Sequence, residues 1–236
     1  MAMSKALHSR KFPGETVAYR RARNSLLKAE IELRRQTEAV AAQLRSLPQG
    51  GEVRTDYRFD GWAPETNRSK KVRLSELFED GKDTLFLYSF MFPEDGLPGG
   101  APCPSCTSII DAIDGAAPHV SQRINLAAVA KAPIAKFQRH GRSRGWRNIR
   151  LLSSAKTTYA RDYHTEEPGG WPNPIATVFV RGGGKIHHVW SSELFYARSD
   201  PGQDMRHVDF MWPMWSIFDR TPAGRGADWG PKLKYP

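Results

Sequence analysis

Two cysteines in 236 residues leave no disulfide-stapled scaffold of the kind small secreted domains rely on. They also leave no four-cysteine zinc site. The histidines, among them His119, His140, His164, His187, His188 and His207, show no ligand spacing that would complete a mixed one. No metal and no other cofactor is expected. No run approaches the roughly 18 apolar residues needed to cross a membrane, and Met1 to Phe12 lacks the apolar centre of a signal peptide. The expectation is a cytoplasmic protein with no membrane partner. No internal repeat is visible. With 39% hydrophobic and 11% aromatic residues the chain can build a sizeable core, and its length suits one domain with additions.

Acidic residues are missing from one block. Between Gly115 and Arg161 there is no Asp or Glu, while ten Lys or Arg fall there, from Arg123 to Arg161. Elsewhere basic and acidic residues balance, so this block carries the whole net charge of +10. Such a patch attracts anionic partners. Nucleic-acid readers usually interleave aromatics with the charges, and here only Phe137 and Trp146 do so. A nucleic-acid partner is not expected, and a solvated helix face and loop is the simpler reading.

What is there centres on Cys103-Pro104-Ser105-Cys106. The most strand-like run, Leu85 to Phe90, comes just before it, and a helix-period pattern, Ile109, Ile110, Ile113, Ala116 and Ala117, just after. Strand, Gly/Pro-rich loop and a Cys-x-x-Cys opening a helix make the layout of a thioredoxin-type redox site. With Cys103 as N-cap, Pro104 takes the first helical position, where its missing N–H costs nothing. The free N–H groups of Ser105 and Cys106, with the helix dipole, then favour a thiolate at Cys103. Cys106, one turn on and on the apolar stripe, is the expected resolving thiol. The alternative is two structural cysteines that happen to be close. A peroxiredoxin site would want Thr or Ser three residues before the reactive cysteine. Gly100 stands there for Cys103, and Cys103 stands there for Cys106.

Around this site the pattern predicts a poorly ordered start over 1–14 and one helix over 15–48. Its apolar stripe, Tyr19, Ala22, Leu26, Ala29, Leu33, Val40, Leu44 and Leu47, either packs across the domain or pairs with another subunit. The main domain is expected over 53–220. Val53, Thr55, Tyr57 and Phe59 predict a half-buried strand, Asp60 to Lys71 a polar loop, and Ser75 a helix N-cap. Ile124–Ala130, Ile149–Leu152, Ile175–Val180 and Lys185–Trp190 predict strands, the last two a hairpin across Gly182-Gly183-Gly184. A helix follows Pro133, and one helical turn covers Tyr159–Tyr163. Asp204 to Asp219 predicts an aromatic helix, kinked or restarted at Pro213, and 221–236 an irregular tail.

This order resembles the thioredoxin fold, and Val53–Phe90 resembles the alkyl-hydroperoxide-reductase/thiol-specific-antioxidant branch. More closely, the chain is similar to a bacterial family of unknown function described as predicted thioredoxin-like dithiol-disulfide oxidoreductases. The matching features are Arg-Asn-Ser-Leu-Leu-Lys-Ala-Glu (23–30), Asp-Tyr-Arg-Phe-Asp-Gly (56–61), Tyr88 to Phe92 and Cys103 to Cys106. Ala132 to Lys136 and the closing Phe-Asp-x-Thr-Pro-x-Gly-Arg (218–225) match too. The resemblance implies an α/β thioredoxin-like three-layer fold with a central mixed sheet, plus a long N-terminal helix and a C-terminal aromatic helix. It also implies thiol-disulfide exchange by Cys103 and Cys106 on a disulfide-containing protein or small thiol. Pro174 holds the place of the cis-proline that such proteins set opposite the cysteines; if cis, it would leave the Asn173 backbone open to a substrate. Trp171, Tyr88, Arg139 and Arg142 are candidate substrate or partner surface. Pro104-Ser105 departs from the Gly-Pro of thioredoxin, so reductant and oxidant are not distinguished. A thiol-dependent peroxidase using the same pair, and a non-enzymatic binding protein using 123–161, are the alternatives.

Overall fold

In the computed structural model, residues 7–98, 100–201, 203, 207–222, 224–226 and 229–235 are described. The chain divides into two units, one ending at Pro48 and one beginning at Gln49. The first is built on helix α1 (Val17–Arg45). Thr16 caps it, its hydroxyl accepting the Tyr19 N–H at 3.1 Å. None of its residues is buried, and Tyr19, Leu26, Leu33, Val40 and Leu44 of the apolar stripe are exposed.

The second unit is a seven-stranded mixed sheet. Its strands are β1 (Arg58–Ala63), β2 (Arg68–Arg73), β3 (Thr84–Ser89), β4 (Asn125–Ala130), β5 (Arg150–Ser153), β6 (Ala176–Gly182) and β7 (Lys185–Ser191). They lie in the order β2-β1-β5-β4-β3-β6-β7. β3, β4 and β5 are parallel; β1, β2, β6 and β7 pair antiparallel. Helix α2 (Pro104–Val120) joins β3 to β4, and α3 (Ile134–Arg144) joins β4 to β5. α4 (Tyr159–Asp162) follows β5, and α5 (Pro213–Phe218) comes last. The segment β4-β3-β6-β7, with α2 after the central strand and a helix after the hairpin, is the thioredoxin-like arrangement.

Alternation along the strands makes three layers. On β3, Leu85 and Leu87 face one core with Phe59, Leu152, Tyr159 and Phe179. Tyr88 faces the other, with Ile109 and Ile110 of α2, Phe137 of α3 and Trp215 of α5. Both cysteines belong to that second core.

Four local expectations are corrected. The polar stretch Asp60–Lys71 is a hairpin, β1 with β2, in register from Arg58↔Arg73 to Ala63↔Arg68. β2 is a charged edge strand with only Val72 buried, so it carries no alternating signal. The strand expected from Val53 starts at Arg58; Val53 instead donates its N–H to the Ile186 carbonyl at 2.8 Å. Ser75 is not a cap: it lies inside a 3-10 turn, Ser75–Leu77, with its N–H and hydroxyl on Asp56. The aromatic C-terminal helix is a 3-10 turn, Asp209–Met211, and then α5, which restarts at Pro213; residues 204–206 lie outside the described residues.

Candidate functional site

The loop from β3 to α2 sets the cysteines. Gly96 has φ +87°, and a Cβ there would sit 2.4 Å from the Gly100 carbonyl carbon, so the turn accepts only glycine. The Leu97 N–H closes the turn on the Ala101 carbonyl at 2.9 Å, and the Cys103 N–H donates to the Met91 carbonyl at 3.1 Å. Cys103 then caps α2 with Pro104 behind it at the first helical position. Its sulfur accepts the Cys106 N–H at 3.4 Å.

Both thiols are free, and their environments separate them. Cys103 is 9% exposed and Cys106 1%. A hydrogen bond from the Cys106 thiol lowers Cys103 to about 7; burial opposes this, and the N–H groups of Cys106 and Ser105 add to it. Burial pushes Cys106 up, and its bond to Cys103 pushes it further. The pair is thus one ready thiolate backed by one buried thiol.

Sequence reading missed Thr107 and His140. The Thr107 hydroxyl donates to the Cys103 carbonyl at 2.8 Å and lies 3.1 Å from His140 Nε2. With its proton given to that carbonyl, the hydroxyl accepts from the ring. Burial, then Arg144, lower His140 to about 4, so it is neutral. Thr107, one turn after Cys103, was findable as a polar residue on an apolar stripe. His140, 33 residues on, carries no local signal.

The other candidates scatter. Pro104 and Ser105 flank the sulfurs, half-buried. Tyr88 is fully buried beneath the cysteines and presents no surface. Asn173 and Pro174 lie at the cysteine end of β3, where the Ser89 N–H donates to the Ile175 carbonyl at 2.8 Å. The Asn173–Pro174 bond is trans. The Asn173 N–H donates to Thr165 and its carbonyl accepts from Ile175, so neither group is left open. Trp171 is half exposed on the loop before them. Arg139 and Arg142 are exposed on α3, and Arg142 lies 5.4 Å over the Trp62 ring. The basic block does not stand bare: Lys131 pairs with Glu166, Arg144 with Asp111 and Lys156 with Asp60.

The C-terminal segment joins the core that holds the pair. Val208, Trp212 and Trp215 are buried in the cysteine cluster, with Met91, Met211 and Met214 packed at its margin. Arg225 fastens this segment. It pairs with Asp209 at 2.9 Å and Asp219 at 2.7 Å and lies 5.1 Å over the Trp215 ring. Among the described residues no group of three or more His, Cys, Asp or Glu could hold a metal ion. None of the described helices is long and apolar enough to cross a membrane.

A family model described as "Bacterial protein of unknown function (DUF899)" matches residues 9–235. No curated protein matches the sequence. Among solved structures, the peroxidoxin BcpB of Mycobacterium tuberculosis is 22% identical, over 70% of this chain and 94% of its own, with a TM-score of 0.44. Enterococcus faecalis AhpC is 11% identical, over 76% and 98%, at 0.45. The exposed lipoprotein thioredoxin Etrx1 of Streptococcus pneumoniae is 13% identical, over 68% and 99%, at 0.40.

Proposed function

The chain belongs to the DUF899 family of bacterial proteins of unknown function, and from its cysteine site we propose that it is a thiol-disulfide oxidoreductase. The observation that carries this reading is the unequal pair: a thiolate-favouring Cys103 at a helix start, with Cys106 hydrogen-bonded behind it. The Cys103 thiolate attacks one sulfur of a substrate disulfide and expels the other as a thiolate. Cys106, after losing its proton, attacks the Cys103 sulfur and expels the second substrate thiolate. The protein pair is oxidised by two electrons and the substrate disulfide reduced by two; the released thiolates take up the protons. Attack is fastest when the thiol's pKa lies near ambient pH, as a value of about 7 does. The substrate class is a disulfide-bearing protein or the oxidised, disulfide form of a small thiol, reached past the half-buried Pro104 and Ser105.

The test is turnover of a small aromatic disulfide and of a protein disulfide by the reduced protein. Wild type should reduce both, Cys103→Ser neither, and Cys106→Ser should accumulate a mixed disulfide at Cys103. Reduction that survives Cys103→Ser would overturn the reading. Peroxide consumption without disulfide turnover would replace it with a thiol-dependent peroxidase. Salt-dependent binding of an acidic partner, unchanged in Cys103→Ser, would replace it with a binding role for 123–161.

A further inference from the structure

We infer that Tyr88 is the hydrogen-bond donor that holds Cys106 as a thiolate in the second half of the exchange. The inference rests on the dithiol reading above and names how its slower thiol is activated. Tyr88 is fully buried, yet its hydroxyl meets no hydrogen-bond partner of sound geometry. Buried hydroxyls are rarely left so, and an exception calls for a cause. Its polar neighbour is the Cys106 sulfur, with Cys103 beyond. A thiol sulfur is a weak acceptor and a thiolate a strong one. Ionisation of Cys106 turns a weak acceptor beside the hydroxyl into a strong one, so a small turn of the O–H toward that sulfur gives the buried donor the partner it lacks.

The placement follows from β3. Alternation turns Leu87 to the far core and Tyr88 to the core that holds both cysteines. Cys106 needs such help, because burial and Cys103 both oppose its charge; the Tyr88 hydroxyl and the Met91 N–H act the other way. Burial also keeps the phenol protonated, so it donates without giving up its proton. In the resolving step the Cys106 proton passes to the first departing thiolate. The Cys106 thiolate, held by the Tyr88 O–H, then forms the bond to the Cys103 sulfur as the substrate–sulfur bond breaks.

The experiment has two readouts. The first is the pH at which Cys106 ionises in Cys103→Ser, followed by thiolate absorbance. Tyr88→Phe should raise it by about one unit, the effect of one charge-assisted hydrogen bond. The second is the rate at which a preformed mixed disulfide at Cys103 releases a chromogenic thiol. A tenfold loss of thiolate, partly offset by the greater nucleophilicity of a more basic sulfur, predicts release roughly threefold slower. Formation of the mixed disulfide should be unchanged, which a general loss of packing would not allow. A ring-fluorinated tyrosine at 88, a stronger donor of nearly the same shape, should shift both readouts the opposite way and serves also if Tyr88→Phe does not fold. Unchanged ionisation and release in these variants would overturn the inference. If wild type fails to exchange at all, the dithiol reading fails, while the Cys106 titration still decides the role of Tyr88.

Discussion

A sulfur at a helix start and a sulfur one turn inside it meet opposite fields, and that difference carries the chemistry proposed here. The Cys106 thiol is the largest influence holding Cys103 down. Cys106→Ala should therefore raise the alkylation midpoint of Cys103 from about 7 toward the ordinary value of about 8.5, read as alkylation rate against pH. A midpoint that stays put would assign the effect to the backbone donors alone. The same shift sets a pH window for stability. Cys103 is ionised at lower pH in the folded state than in the unfolded, so the reduced protein gains stability as pH rises from about 7 to the unfolded value, and loses that gain on acidification. Cys106 acts oppositely: folding suppresses its charge, so stability falls as pH rises past the unfolded thiol value. The spacing of the two cysteines was legible in the sequence because capping is local. Tyr88 was named from the sequence but as surface, and its burial among the cysteines depends on which face β3 turns inward; the meeting of Thr107 with His140 was not legible, because it depends on how α3 lies against α2.

At the scale of elements, α2 carries a second fastening besides the cysteines. Asp114, nearly buried, accepts the backbone N–H groups of Arg147, Asn148 and Ile149 at 2.8 to 3.1 Å. It thereby ties α2 to the turn that feeds β5. Asp114→Ala strands those donors and should cost about 3 kcal/mol in chemical denaturation; a loss below about 1 kcal/mol would show that water replaces the carboxylate. Arg225 plays the corresponding part for the C-terminal segment. Arg225→Gln breaks both carboxylate pairs and should loosen the packing of Trp212 and Trp215 in the core they share with the cysteines, so Cys103 should alkylate roughly tenfold faster at fixed pH, the effect of one to two kcal/mol of local stability. The closing motif from Phe218 to Arg225 was readable as a signature; its reason, the Asp219–Arg225 pair, was not. The parallel core was read correctly because buried strands are apolar throughout. β2 escaped because an edge strand facing water is written in Lys, Arg and Ser.

For the whole molecule, the unit ending at Pro48 raises the question of assembly. Residues 19, 22, 26, 29 and 33 step by three and four along α1, and Tyr19, Leu26 and Leu33 among them are exposed. Alternating three- and four-residue steps are the spacing of a helix seam that pairs with its own copy, so a homodimer through α1 is proposed. Sedimentation of the full chain should give a dimer, and Leu26→Glu with Leu33→Glu a monomer of unchanged alkylation rate. A monomeric wild type would end that proposal. The remaining unit gathers its cysteines and three of its indoles, Trp146, Trp212 and Trp215, into one apolar cluster. A disulfide takes an electron from an excited indole more readily than two thiols do. Oxidation of the pair should therefore dim the tryptophan emission and reduction restore it, so that the protein reports its own redox state as light, without a label.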